Sequence, residues 1–272
     1  MRYKLLVQYE GTAYLGWQVQ PHGRTIQGEF ERALRNLTGG AVRVAAAGRT
    51  DAGVHASGQV VSFSLDRAWA PEVLARALDA ITPADIAVLQ AEVVPDDFDP
   101  RRWALSRTYT YRIWNHRVGS PFWRRYAWHV PYRLDIAAMQ DAAAALCGEH
   151  DFAAFRAAGC AAAHSRRQVL QSTWIGQGPL LVYSIEANGF LRHMVRNVVG
   201  TLVEVGSGKR SPDDMRRLLA AKDRTLAGPT APAHGLCLSR VRYPDPLVRP
   251  VQKNGAQLRE VTEPGADTDD VS

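Results

Sequence analysis

Two rhythms of apolar residues alternate along the chain, one of period two and one of helical spacing. The run 3–10 is rich in β-formers and reads as a short strand. A loop with glycines and aromatics follows (GTAYLGWQVQP). Then Ile26, Phe30, Leu34 and Leu37 recur at helical spacing behind a capping Thr25, and Gly39 with Gly40 stops the pattern. The runs 42–47 and 59–65 are strand-like. The second alternates, with Val61, Phe63 and Leu65 on one side and Ser62 and Ser64 on the other, as a half-buried strand does. Pro71 opens another helix, 85–94 is a strand, and PDDFDPRR has the turn-forming composition of a linker. Beyond it 108–114 alternates again, helices are predicted near 134–147, 190–205 and 211–221, and strands near 168–175, 180–187 and 236–243.

No short repeat is visible. The succession predicts an α/β protein of the α+β type, its strands mixed and largely antiparallel because hairpin-like neighbours dominate. Two halves are expected to meet near 100–106, giving an N-terminal α/β domain over 1–105 and a C-terminal one over 106–243. The segment 244–272 is rich in Pro, Gly and charge without periodicity, and is expected to be flexible.

Composition adds a core and a sign of charge. With 46% hydrophobic and 22% charged residues, the 272-residue chain has enough apolar surface to fold. The segment 244–272 holds three Lys/Arg against six Asp/Glu, so the formal net charge of +6 leaves +9 on residues 1–243. That excess suits a polyanionic partner, although a solvated basic surface has the same composition. Cys147, Cys160 and Cys237 stand apart with no CxxC pair, which predicts small buried thiols rather than a disulfide framework or a zinc site. The start, MRYKLLVQYEG, lacks a signal-peptide pattern. The most apolar stretch, 190–205, carries Arg192, His193, Arg196 and Glu204, too much charge for a membrane span. A soluble, cytoplasmic protein with no membrane partner is expected.

The most informative stretch is GRTDAGVH (48–55). Its glycines free the backbone to hold a side chain outward, and Asp51 is the group that could be held there as nucleophile or base. Arg49 is two residues away, near enough for its guanidinium to meet that carboxylate. An ordinary loop aspartate would instead bond its own backbone in an Asx-turn. On the predicted 190–205 helix, apolar residues cover most of the circumference, so Arg192 and Arg196, one turn apart, need anions if buried. Asp51 is a natural partner for Arg196; Glu204, Asp213 or water are the alternatives.

These residues carry a resemblance. AAAGRTDAGVHASGQVV is similar to the catalytic motif of the tRNA pseudouridine synthase A (TruA) family. The likeness extends from about Tyr3 to Tyr243 through YEGTAYLGWQVQP, VPDDFDPR, RTYTYRI, HDFAAFR, GFLRHMVRNVVGTLVEVG and AAKDRTLAGPTAPAHGL. It implies the pseudouridine synthase fold, two similar halves around a central cleft, and conversion of uridine to pseudouridine at positions 38, 39 and 40 of the tRNA anticodon stem-loop. It further implies a homodimer without metal or organic cofactor. Asp51 matches the catalytic nucleophile, Arg196 its ion-pair partner, Arg49 the arginine implicated in base flipping, and Tyr109 the active-site tyrosine that would bind the uracil and could transfer a proton. Glu10 stands where many members carry Asp.

Other motifs recede. GSGKRS (206–211) fails as a phosphate loop because Val203 and Arg210 occupy positions that need Gly and Ser/Thr. The histidines, His193 among them, show no metal-ligand spacing and are expected to make ordinary hydrogen bonds. A non-catalytic RNA-binding module with exposed aromatics, and a hydrolase pairing Asp51 with a second carboxylate, are the rival functions.

Overall fold

A computed structural model describes residues 1–247; most of the segment expected to be flexible lies outside the described residues. The elements run β1 (Arg2–Tyr9), α1 (Ile26–Thr38), β2 (Ala45–Ala46), β3 (His55–Ser64), α2 (Pro71–Ile81), β4 (Ile86–Val94) and β5 (Ser106–Asn115). Then follow β6 (Trp128–Val130), α3 (Ile136–Ala144), β7 (Gly148–Asp151), β8 (Arg166–Gln177), β9 (Leu180–Ala187), α4 (Met194–Gly206), α5 (Asp214–Ala221) and β10 (Leu236–Arg242). All the strands join one mixed sheet in the order β4-β1-β3-β10-β5-β9-β8-β7, with β2 beside β3 and β6 beside β5. The mixed α/β class is therefore as expected. Most pairings are antiparallel; β10 runs parallel to β3 and β6 parallel to β5.

Local chemistry explains the helices. Thr25 accepts the Gly28 N–H at 3.3 Å, and Gly39 closes α1 in the left-handed conformation at φ 76°. Asp135 caps α3 in the same way, accepting from Ala138 N at 3.0 Å. Ile26, Phe30 and Leu34 of α1 are fully buried in a core that includes Leu5, Phe63 and Leu74.

Several expectations need correction. The run 42–47 is a strand only at Ala45–Ala46. The alternation of 59–65 does not mark a half-exposed strand: β3 sits mid-sheet, Val60 is as buried as Val61, and buried Ser62 accepts from Arg2 Nε at 3.1 Å. PDDFDPRR is more than a linker, since Phe98 is fully buried against Val94, Trp103 and Tyr243. Finally, the predicted 190–205 helix starts at Met194, because His193 takes a left-handed backbone at φ 60° that cannot continue a helix backwards. Of the cysteines only Cys237 is buried; Cys147 is exposed.

Candidate active site

The loop between β2 and β3 is held from below by the N-terminal loop. Trp17 N donates to Thr50 O at 3.0 Å, Gly53 N to Tyr14 O at 3.3 Å, and the Tyr9 and Thr50 hydroxyls share a bond of 2.8 Å. Gln59 Nε2 donates to Gly48 O at 2.7 Å. Gly16 (φ 89°) lets the two loops touch: a Cβ there would lie 2.6 Å from Thr50 O. Tyr14 and Trp17 are buried in this work, so the aromatics of the first loop are not the exposed surface an RNA-binding module would present. His55 pins the far end. Its Nδ1 accepts from Gly11 N at 3.0 Å, so Nε2 carries the proton and donates to Arg125 O and His234 O at 2.8 and 3.0 Å. With Nδ1 already accepting, the Glu10 carboxylate at 3.4 Å makes no ion pair with it.

Asp51 stands on this braced loop with its side chain 31% exposed. Arg196, in the first turns of α4, comes to it from the second half of the chain: Nη1 lies 3.3 Å from Asp51 Oδ2. The guanidinium is fixed at its other side, with Nε donating to Ala231 O at 2.7 Å while Ala231 N donates to Arg196 O at 3.1 Å. The alternative anions are taken elsewhere, Glu204 by Arg210 at 2.5 Å and Asp213 by Arg216 at 2.8 Å. Arg192 precedes the helix and reaches Ala158 O at 3.3 Å. Arg49 is exposed and, among the described residues, makes no ion pair with Asp51.

His193 completes the carboxylate's surroundings, with Nε2 3.4 Å from Asp51 Oδ2. Grouping it with the other histidines missed this. A signal was present: His193 is three residues before Arg196, a spacing that shares a face on the helix then predicted.

Tyr109 lies on β5, 9% exposed, with Phe190 edge-on at 5.0 Å. Burial pushes its phenol pKa up, and nearby Tyr9 and Asp51 add to the rise while Arg107 opposes it. The group therefore stays protonated at neutral pH, a hydrogen-bond donor that gives up its proton less readily than a free phenol. Behind Arg196, buried Asn197 draws together Phe155 O, Thr230 Oγ1 and Arg224 at 2.9, 2.6 and 3.1 Å, which fixes the 228–231 segment.

Charge near this site is not cancelled. Arg107 is held by the carbonyls of Ala47 and Asn188, Arg156 by those of Cys160 and Ala162, and Arg167 by that of His164. Carbonyls fix a guanidinium without neutralising it. Elsewhere Arg24 and Arg32 meet Glu29, and Arg217 meets Asp214.

A mixed sheet carries an arginine-held aspartate and a buried tyrosine, with carbonyl-held arginines beside them, an arrangement that suits a polyanionic partner. The family model described as tRNA pseudouridine synthase matches residues 5–101 and 142–244, and the chain belongs to that family. A tRNA pseudouridine synthase A of Myxococcus xanthus is 49% identical over 90% of this chain and 92% of its own. One of Moorella thermoacetica is 50% identical over 88% and 98%. The solved archaeal box H/ACA sRNP Nop10-Cbf5 complex aligns with a TM-score of 0.36 and 10% identity over 74% of this chain and 44% of that one, too loosely to bear on the site. Among the described residues no helix is long and apolar enough to cross a membrane.

Proposed function

We propose that the chain isomerises uridine to pseudouridine at positions 38, 39 and 40 of the tRNA anticodon stem-loop, with Asp51 as nucleophile. The observation that carries this reading is the Asp51–Arg196 pair. One carboxylate, presented on a braced loop in the first half of the chain, is held at 3.3 Å by a fixed guanidinium from the second. Within a family of this activity, that is the equipment the chemistry asks for.

The reaction is internally balanced. The bond from N1 of uracil to C1′ of the ribose breaks, a bond from C5 to C1′ forms, C5 loses a proton and N1 carries one in the product. No electron leaves the system and no water is consumed, so the residues must supply a nucleophile, a place for an extruded base and control of protons. Asp51 is the nucleophile in this proposal. Its side chain is 31% exposed, which leaves it open to an incoming base. Tyr109 is the surface on which the uracil rests, and its phenol, kept protonated by burial, can donate a hydrogen bond to the base. Arg49, exposed and unpaired among the described residues, is free to enter the stack the base has left. The domains 1–105 and 106–243 face one another across the cleft in this reading, and two copies of the chain act as a homodimer. The hydrolase alternative has less support, since the ionisable groups that meet Asp51 among the described residues are a guanidinium and an imidazole, neither of them a carboxylate.

Tritium release from tRNA labelled at C5 of uridine tests the proposal. Wild type should release label from transcripts with uridine at 38–40, and Asp51→Asn should lose many powers of ten in rate at near wild-type thermal stability. Residual turnover above about one per cent in a clean Asp51→Asn preparation would remove Asp51 from the nucleophile's role.

A further inference from the structure

Among the described residues only His193 and Lys222 combine a β-carbon with positive φ. Such a conformation is unfavourable for a residue other than glycine, and it persists where the surroundings impose it. At His193 the backbone starts α4, its carbonyl accepting Asn197 N–H at 2.9 Å, but the imidazole makes no capping bond to the helix. The side chain points elsewhere, to Asp51 Oδ2 at 3.4 Å.

The protonation state decides what that contact is. Burial lowers the pKa of the imidazole below the ordinary histidine range; Asp51 opposes the shift, and Arg196, Arg192 and Arg224 reinforce it. His193 is therefore neutral at pH 7, and its approach to a carboxylate oxygen is attractive only in the tautomer with the proton on Nε2. Asp51 Oδ2 then accepts one hydrogen bond, from Arg196 Nη1 at 3.3 Å, and has His193 Nε2 beside it at 3.4 Å, near enough to become a second donor with a small turn of the ring. Among the described residues, Oδ1 takes part in no hydrogen bond.

We propose that His193 is a positioning residue for the isomerisation: together with Arg196 it ties down Oδ2, so that Oδ1 is the atom Asp51 presents to the nucleotide. The inference rests on Asp51 being the nucleophile. One donor leaves a carboxylate free to swing about it, whereas two on the same oxygen set the plane of the group. A neutral donor also orients the oxygen while drawing less charge from the nucleophile than a second cation would. Both contacts are long for hydrogen bonds in the free protein, as catalytic contacts commonly are before substrate closes the site.

Single-turnover isomerisation of C5-labelled tRNA by His193→Gln and His193→Asn, with tRNA affinity and melting temperature measured alongside, tests this. Asn is at home in the left-handed backbone, so the variant folds, but its amide is too short to reach Oδ2. Gln places an N–H close to where Nε2 stood. The Asn variant should lose about ten- to a hundredfold in the chemical step with little change in tRNA affinity, and Gln should restore most of that loss. Wild-type rates in His193→Asn, or equal losses in two folded variants, overturn the positioning role. Asp51→Asn is run in parallel. If it turns over, the nucleophile assignment fails; if it is dead while His193→Asn is fully active, only the present inference does.

Discussion

Arg196 is gripped from two directions, and each grip predicts a different loss. Towards the cleft its Nη1 meets Asp51 at 3.3 Å; behind, its Nε meets Ala231 O at 2.7 Å. A lysine has the charge and three N–H donors on a single nitrogen, but lacks the planar fork whose separate nitrogens reach both partners. Arg196→Lys should fold and lose at least tenfold in the rate of the chemical step. Arg196→Met serves neither partner. It should lose more activity and also about 1–3 kcal/mol of stability, because Ala231 O is left unpaired in a site where Arg196 is only 16% exposed. Thermal melts and single-turnover rates of the two variants check this, and wild-type rates in both would make Arg196 a purely structural arginine. At this scale the sequence is legible where burial and charge conflict. A guanidinium on an apolar helix must find an anion, and a glycine-flanked aspartate is an obvious one. Arg49 shows the limit: two positions of sequence separation say nothing about where a long side chain goes, and it turns to solvent. His193 was hidden because its role depends on one backbone torsion, which no periodicity records.

Helices with strong caps were readable to within a residue or two, as α1 shows with Thr25 and Gly39. The start of α4 was not, because the apolar pattern runs on backwards through Phe190 and Leu191, although Phe190 is packed on Tyr109 and Leu191 lies before the left-handed turn. The short strands β6 and β7, with sequences WHV and GEHD, offered no alternation to detect. Within α4 sits the sharpest conflict between propensity and packing. Alanine for glycine inside a helix normally adds about 0.5–1 kcal/mol of stability. At Gly200, however, a Cβ would stand 1.7 Å from Pro229 O, a backbone atom of the segment that leads to Ala231. Gly200→Ala should therefore destabilise the protein, by roughly 1–3 kcal/mol or more, and should lower activity as well, since the displaced segment carries the carbonyl that fixes Arg196. A melting temperature equal to or above wild type would show that the segment yields without cost.

Several arginines near the site are held by carbonyls, although Arg196, Arg166 and Arg242 meet the carboxylates of Asp51, Glu149 and Glu186. Around the 156–164 loop and the turn at 188–189 the partners are carbonyls; on α1 and α5 they are carboxylates. Part of the +9 carried by residues 1–243 thus stands on arginines that only carbonyls hold, Arg107, Arg156 and Arg167 among them. Binding of tRNA should fall steeply between 50 and 200 mM salt, by about a thousandfold if six or more phosphates are engaged. Filter binding across that range measures the slope, and a flat dependence would contradict it. The mixed α/β class was legible in the alternating rhythms, but the joining of both halves into one sheet was not. That joining depends on β10, which pairs with β3 through Cys237 and Leu238 and with β5 along its length, and no local pattern says which strands the last strand-like run will find. The order of synthesis gives this arrangement a further meaning. Every residue of the site, from Arg49 to Arg196, leaves the ribosome before the strand that docks the two parts of the sheet together. A nascent chain arrested ahead of residue 236 would contain the site residues from Arg49 to Arg196 but lack the strand that lies between β3 and β5, so competence for RNA waits on the emergence of β10.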